Sequence, residues 1–359
     1  MTLLAHSELD AARHVGDPPA DELIAALGPN IWAVNALLRH THRNDSPLPD
    51  SLPPAVTRFC RDEFVLPAWF DAERVNRAQT WASRHLFQLT TALFCASLPT
   101  AYAAARGARV LAATGRMRAA ALDQRVNETA QFVLDVVAQG SFSGQGSALR
   151  SILKVRLMHA AVRAQLRGRA EFHEETPINQ EDLLGTLGTF SVLVLRSLQL
   201  LGVRATEREA EDYYQLWRVV AVLLGVRERL LPANLWSARE LSSRIAARHL
   251  QGSEHGRELM AALLTRMEQH VRVKQAPRYL VRYLAGDAVA EHLGLPGDPA
   301  FQAKLAFLRL LPSVPRAAEP IAERLSALIG APLLRSVVLK KLEGAAAGFA
   351  MPVQTGAGE

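Results

Sequence analysis

RMRAAALDQRVNETAQFVLDVV (residues 116–137), AQGSFSGQGS (138–147) and ALRSILKVRLMHAAVRAQLRGR (148–169) form the stretch on which the fold turns. In the first segment Arg125, Glu128 and Thr129 stand at i, i+3 and i+4, so a helix puts all three on one face. Phe132, Val133 and Val136 follow, and the polar trio extends a face that becomes apolar. A carboxylate there must be paired, solvated or protonated. In the second segment Ile152, Val155, His159, Val162 and Leu166 keep a 3-4-3-4 spacing, which is a single buried seam with the histidine at its middle. Lys154, Arg156, Arg163 and Arg167 lie elsewhere around the cylinder.

The Gly-rich linker makes these two segments an antiparallel helical hairpin. Glu128 and His159 are nearly equidistant from its centre at Ser143–Gly144, which puts them at one height on facing helices. Helices in direct contact lie about 8–10 Å apart, too close for a flat cofactor. A group between them requires the helices to splay, and the glycines of the linker permit that.

Outward from the hairpin the chain reads as helix after helix, with Gly and Pro between apolar-periodic segments and no sustained period-2 alternation. The spacing predicts helices over 57–65, 71–97, 99–107, 116–138, 148–168, 180–202, 206–224, 237–250, 254–272, 277–293, 298–309, 316–328 and 332–343. The expected class is all-α: one multi-helix domain over 57–345, with a globin-like core and additional helices around it. Residues 1–56 form a looser N-terminal extension, with a helix over Ala20–Arg39 and a Pro-rich linker, HRNDSPLPDSLPP. Residues 346–359 are a small, Gly-rich tail. Asn179, Glu181 and Asp182 read as a helix start, and Tyr213 and Trp217 as core.

Of the 359 residues 49% are hydrophobic and 21% charged, a globular balance. Cys60 and Cys95 are far apart, and no CxxC, CxxCH or zinc-type spacing occurs. This argues against a disulfide scaffold, covalent haem attachment and a structural zinc. The net charge of +6 comes from arginines scattered along the chain rather than a basic run, so nucleic acid is not the expected partner. The apolar stretch Leu183–Leu201 is interrupted by Arg196 and Gln199 and reads as a buried helix, not an integral membrane segment. The N-terminus shows no secretion signal, and the expected location is cytoplasmic. His40 and His42 form a loop pair with no third ligand in view.

Spacing alone leaves the hairpin's chemistry open. A lone histidine on an apolar seam is more often a hydrogen-bonded core residue than a metal ligand. Glu128 with Arg125 is more often an intrahelical ion pair, worth only about 0.3–0.5 kcal/mol.

Six motifs occur in order: SLPTAY at Ser97–Tyr102, TGRM at Thr114–Met117, RVNETAQF at Arg125–Phe132, KVRLMHAAVR at Lys154–Arg163, PINQEDL at Pro177–Leu183 and YLVRYLAGDAVAEHLGLP at Tyr279–Pro296. Together they resemble the latex-clearing rubber oxygenases and the related oxygenase of mycophenolic acid biosynthesis, over about Leu66–Pro296. The resemblance implies a non-covalent b-type haem (iron protoporphyrin IX) with His159 as the iron ligand. It also implies dioxygen as co-substrate and oxidative cleavage of a carbon–carbon double bond. Arg125 and Thr129 match the family's distal arginine and threonine. Glu128 departs from the lysine of the rubber enzymes and resembles the RxxET form of members outside that branch.

On that footing a second-shell acceptor is expected to fix the tautomer of His159. Thr129 would donate a hydrogen bond on the distal side. Glu128 would give or take a proton, since burial in an apolar pocket disfavours its ionised form. Arg125 would orient Glu128, stabilise developing negative charge or meet a propionate. Arg156 and Arg163 flank the histidine and either pair with propionates or form a solvated stripe, the reading their spacing favours. Arg282 lies in a stretch resembling a family segment with a functional arginine, and would reach the haem pocket. The surroundings favour a lipophilic, unsaturated substrate. A haem protein of the same fold without oxygenase chemistry, and a haem-free helical interaction protein, are the alternatives. Oligomeric state is not legible.

Overall fold

Short polar residues start the helices where apolar periodicity begins. Asn179, Thr206 and Asn234 each accept a hydrogen bond from the backbone N–H three residues on, closing capping boxes, and Ser253 caps in the same way. The computed structural model describes residues 4–28, 31, 34, 41, 43–114, 119–271, 274–297 and 329–338, with backbone alone at 119–122. The described residues are helical and contain no strand, only an isolated bridge between Ala104 and Leu250.

In chain order the helices are α1 (His6–Ala12), α2 (Pro18–Leu27), α3 (Pro54–Asp62), α4 (Ala72–Arg84), α5 (Leu86–Ala92), α6 (Leu98–Ala103), α7 (Ala105–Ala113), α8 (Ala119–Val137) and α9 (Ala148–Leu166). They continue with α10 (Gln180–Phe190), α11 (Val192–Leu200), α12 (Glu207–Leu223), α13 (Leu235–His249), α14 (Glu254–His270), α15 (Ala276–Ala285), α16 (Asp287–His292) and α17 (Ile329–Val338). The all-α expectation holds. The expected helices over 298–309 and 316–328, the 346–359 tail, His40 and His42 lie outside the described residues.

Four expected helices are broken: the 99–107 helix is interrupted at Ala104, which is extended and pairs with Leu250, and the other three each break for a local reason. The 71–97 helix turns at His85 and then widens into a π turn over Leu93–Ser97. Pro99 has no N–H to give the carbonyl four residues back, and the wider turn accommodates it. The 180–202 helix breaks at Ser191, where the hydroxyl bonds back to the Leu187 carbonyl and shares it with the residue's own N–H. The 277–293 helix breaks at Gly286, held at φ 100°, a conformation other residues resist.

The N-terminal region is not the loose extension its composition indicates. Leu23, Ile24 and Leu27 of α2 pack on Leu153, Leu157, Ala160 and Ala161, the back face of α9. The alanines let the two helices approach, and α2 completes a core that α9 alone cannot close. The segment before α2 is also tied down, because Gln180 donates to the Gly16 and Gly225 carbonyls at 2.6 and 2.9 Å. Beside it Glu181, which reads from sequence as no more than a first-turn acid, is fully buried. It meets Arg13 at 3.0 Å, Arg248 at 2.8 Å and His249 at 3.0 Å. Burial would raise its pKa, but hydrogen bonds from His249 and Arg13 outweigh that and hold it at about 2.

This carboxylate joins α1, α10 and α13, so removing it strands buried cations. Glu181→Ala should cost about 3 kcal/mol in urea unfolding at pH 7. Asp62→Ala, in a pair exposed at the surface, should leave the midpoint unchanged. Because the folded pKa is depressed, the contribution of Glu181 is complete above the ordinary carboxylate range. It should fade as pH falls toward 2.

Candidate active site

The hairpin expected from the sequence is present. Its register is set near the loop, where the Ser151 hydroxyl on α9 donates to Asp135 on α8 and Gln131 donates to the same carboxylate at 2.7 Å. Asp135 and Ser151 are symmetric about Ser143. Glu128 lies seven residues further along α8 and His159 eight further along α9, about 10.5 and 12 Å at 1.5 Å per residue. On straight helices this arithmetic gives the two positions nearly equal heights.

The loop is not the pliable hinge its glycines imply. Asn44 donates to the Ser141 and Ser143 carbonyls at 2.8 and 2.6 Å and accepts from the Leu149 N–H at 3.0 Å, capping α9 from outside. Gln79 donates to the Val136 carbonyl at 2.9 Å and accepts from the Gly140 N–H at 3.0 Å. Room between the helices therefore has to open at the end away from the loop, where Glu128 and His159 lie.

On α9 the apolar seam is interrupted at the histidine. Ile152 and Val155 belong to the main core, whereas Val162 and Leu166 form a separate small cluster with Val110 of α7. His159 marks the break. Its Nδ1 is sealed from solvent and, among the described residues, has no hydrogen-bond partner, so the expected second-shell acceptor is not found. Burial, reinforced by the charges of Arg163 and Arg125, lowers its pKa to about 3. The imidazole is neutral across the physiological range, the form in which it can donate a lone pair to a metal.

Across from it on α8, Glu128 is only 4% exposed and accepts a hydrogen bond from Gln124 at 2.9 Å. Arg125 is half-buried, and its charge acts on both His159 and the buried Tyr102. Thr129 is half-buried one residue beyond Glu128. Arg266 of α14 braces this end of α8 through an ion pair with Asp123 and hydrogen bonds to Asn127 and Ser336.

The two arginines flanking His159 are not a solvated stripe. Arg156 is 4% exposed and clamps Asp17 through Nε and Nη2 at 2.6 and 2.9 Å, while its Nη1 donates to the Glu63 carbonyl at 3.0 Å. Arg163 is 2% exposed, with Nε on Asp21 at 2.7 Å, Nη1 on the Ile178 carbonyl at 3.1 Å and Nη2 buried without an acceptor among the described residues. Arg282 bonds Asp287 at 2.9 Å and the Leu295 carbonyl at 2.7 Å, so its contacts tie α15 to α16 and the turn beyond rather than reaching toward His159. Asp17, Asp21, Asn44 and Gln79 carried no signal in the sequence, because their partners lie about 60 to 140 residues away.

The residues present fit a haem. The seam offers a neutral imidazole with an orphaned buried nitrogen where two core clusters part, and the paired helix carries a buried carboxylate. Arg163 has a spare buried N–H suited to an anionic substituent. In the haem-free protein a depressed histidine pKa makes stability rise with pH between about 3 and the ordinary histidine value near 6.5. Urea unfolding of wild type and His159→Asn should therefore diverge in that window by up to about one bound proton. Parallel pH profiles would show that the imidazole is solvated in the folded state.

A family model described as ER-bound oxygenase mpaB/B'/Rubber oxygenase, catalytic domain, matches residues 83–316. A rubber oxygenase from Streptomyces sp. (strain K30) is 27% identical over 309 residues, covering 82% of this chain and 74% of its own. The solved structure of latex clearing protein LCP in the closed state superposes with a TM-score of 0.77 at 25% identity, over 91% of both chains. With the helical hairpin and its histidine in place, and with the family model spanning well over half of the sequence, this chain belongs to the mpaB/rubber oxygenase catalytic-domain family.

Proposed function

We propose that this protein is a b-type haem-dependent oxygenase that uses dioxygen on a lipophilic, unsaturated substrate, an isoprenoid or another alkene, with His159 as the iron ligand. The observation that carries the proposal is the imidazole itself. It is neutral and sealed at Nδ1 and sits where the apolar seam of α9 breaks, on the helix paired with the one that carries the buried Glu128. Family membership supports the oxygenase class, since the matched model and relative are both named for it.

A bound haem would supply the iron at which dioxygen is activated. The chain supplies the rest. Glu128, held by Gln124, keeps a carboxyl at the distal level that can take a proton from, or return one to, the substrate at Oε2 or Oε1. Arg125 places a positive charge beside it and stabilises negative charge that develops there. Thr129 offers a hydroxyl on the same helix face. Arg163, whose Nη2 has no acceptor among the described residues, is the better propionate partner, since the guanidinium of Arg156 is spent on Asp17 and the Glu63 carbonyl. Arg282 anchors the α15–α16 corner instead of holding cofactor. The apolar residues around the site exclude water and favour a hydrocarbon substrate over a polar one. A glutamate at position 128, in place of the lysine of the rubber enzymes, points away from the polymer itself.

Two variants separate the roles. His159→Ala should purify with little or no extractable haem. Glu128→Gln should keep its haem but lose about a hundredfold in alkene-dependent oxygen uptake. A wild-type protein that is colourless and refuses added haem, or a His159→Ala variant with full haem content, would defeat the proposal.

A further inference from the structure

A histidine that ligates a metal is normally aimed by a hydrogen bond from its other ring nitrogen to a carboxylate or carbonyl. His159 has no such partner among the described residues. Its ring is therefore aimed by the helix that carries it, and the rotation of α9 about its axis must be fixed by other contacts. Arg156 and Arg163 lie three residues before and four after His159, so they bracket it on neighbouring turns. Both are buried, and both reach the same short helix.

We infer that α2 is a splint for the ligand helix, and that Asp17 and Asp21 are positioning residues for His159. The two aspartates are themselves four residues apart and present their carboxylates from successive turns of α2. Asp17 stands at the N-cap of α2, yet its side chain makes no capping bond and instead takes the Arg156 guanidinium on both oxygens. The guanidinium also lies over the Phe59 ring, 4.9 Å from its centroid, so it is fixed in plane as well as in direction. Asp21 takes Nε of Arg163, leaving that side chain no rotational freedom once Nη1 has bonded the Ile178 carbonyl. The approach is close. A Cβ at Gly16 would stand 2.7 Å from the Asp21 carboxylate and 2.8 Å from Arg163 Cδ, so any larger residue there would displace the pair. Both aspartates precede the segment that the family model covers, which begins at residue 83.

Two clamps one helix turn apart on α2 resist rotation and sliding of α9 together, which apolar packing of Leu23, Ile24 and Leu27 alone does not. Rotation of α9 by a few degrees moves a ring nitrogen far enough to weaken a metal bond, so the aspartates act on ligation through geometry rather than by contact.

This inference rests on the proposed role of His159, and the test separates the two. Asp21→Asn and Leu27→Ala both weaken α2, but only the first frees Arg163. In haem-loaded protein, haem loss to an excess of scavenger should be about 10- to 100-fold faster in Asp21→Asn. The ferrous iron–histidine vibration should broaden, and Asp21→Glu should recover part of both. Leu27→Ala should melt earlier with haem loss and vibration unchanged. If Asp21→Asn and Leu27→Ala differ from wild type in melting alone, or release haem equally, α2 is merely structural and the inference fails while the ligand assignment stands. If His159→Ala retains haem, both fail.

Discussion

A half-buried imidazole, sealed at Nδ1 and held uncharged, is the constraint around which this fold is arranged. Charging it there would oppose burial and the nearby Arg163 and Arg125, which is why its proton is lost far below the usual pH. The apolar seam could be continuous with a leucine at position 159. The histidine instead coincides with a division of the core into a large cluster on one side and a small one around Val110, Val162 and Leu166 on the other. Filling that break with a flat apolar group that takes the nitrogen lone pair would satisfy packing and chemistry at once.

The rest of the molecule keeps the two faces of the break in register. Asn44 and Gln79 lock the loop end of the hairpin, and Ser151 with Asp135 sets its register. Arg266 braces the far end of α8, and α2 clamps the back of α9. These contacts are buried or partly buried hydrogen bonds of charged, amide or hydroxyl groups, and breaking one leaves its partner unsatisfied. They make the site a feature of rigid helices rather than of loops, and they recruit the N-terminal residues that composition assigns to a loose extension.

How much of this was legible follows from the range of the forces. Helix class, the hairpin and the cap at Asn179 are written in spacings of three and four residues, and they appear as read. Helix breaks at His85 and Ser191 were invisible, since apolar periodicity runs through both. Arg156 and Arg163 read as solvated because a sequence shows charge but not the carboxylates of a helix about 140 residues earlier. The missing acceptor for Nδ1 was equally out of reach: the expectation of one came from how metal-binding histidines usually behave, and only coordinates could show the exception.

Diffraction at the iron absorption edge, from crystals of haem-loaded protein, tests the central claim most directly. The account predicts one strong anomalous peak at coordination distance from a ring nitrogen of His159, with Glu128 on the opposite side of the porphyrin. A peak elsewhere, with the imidazole still enclosed by hydrocarbon, would contradict it.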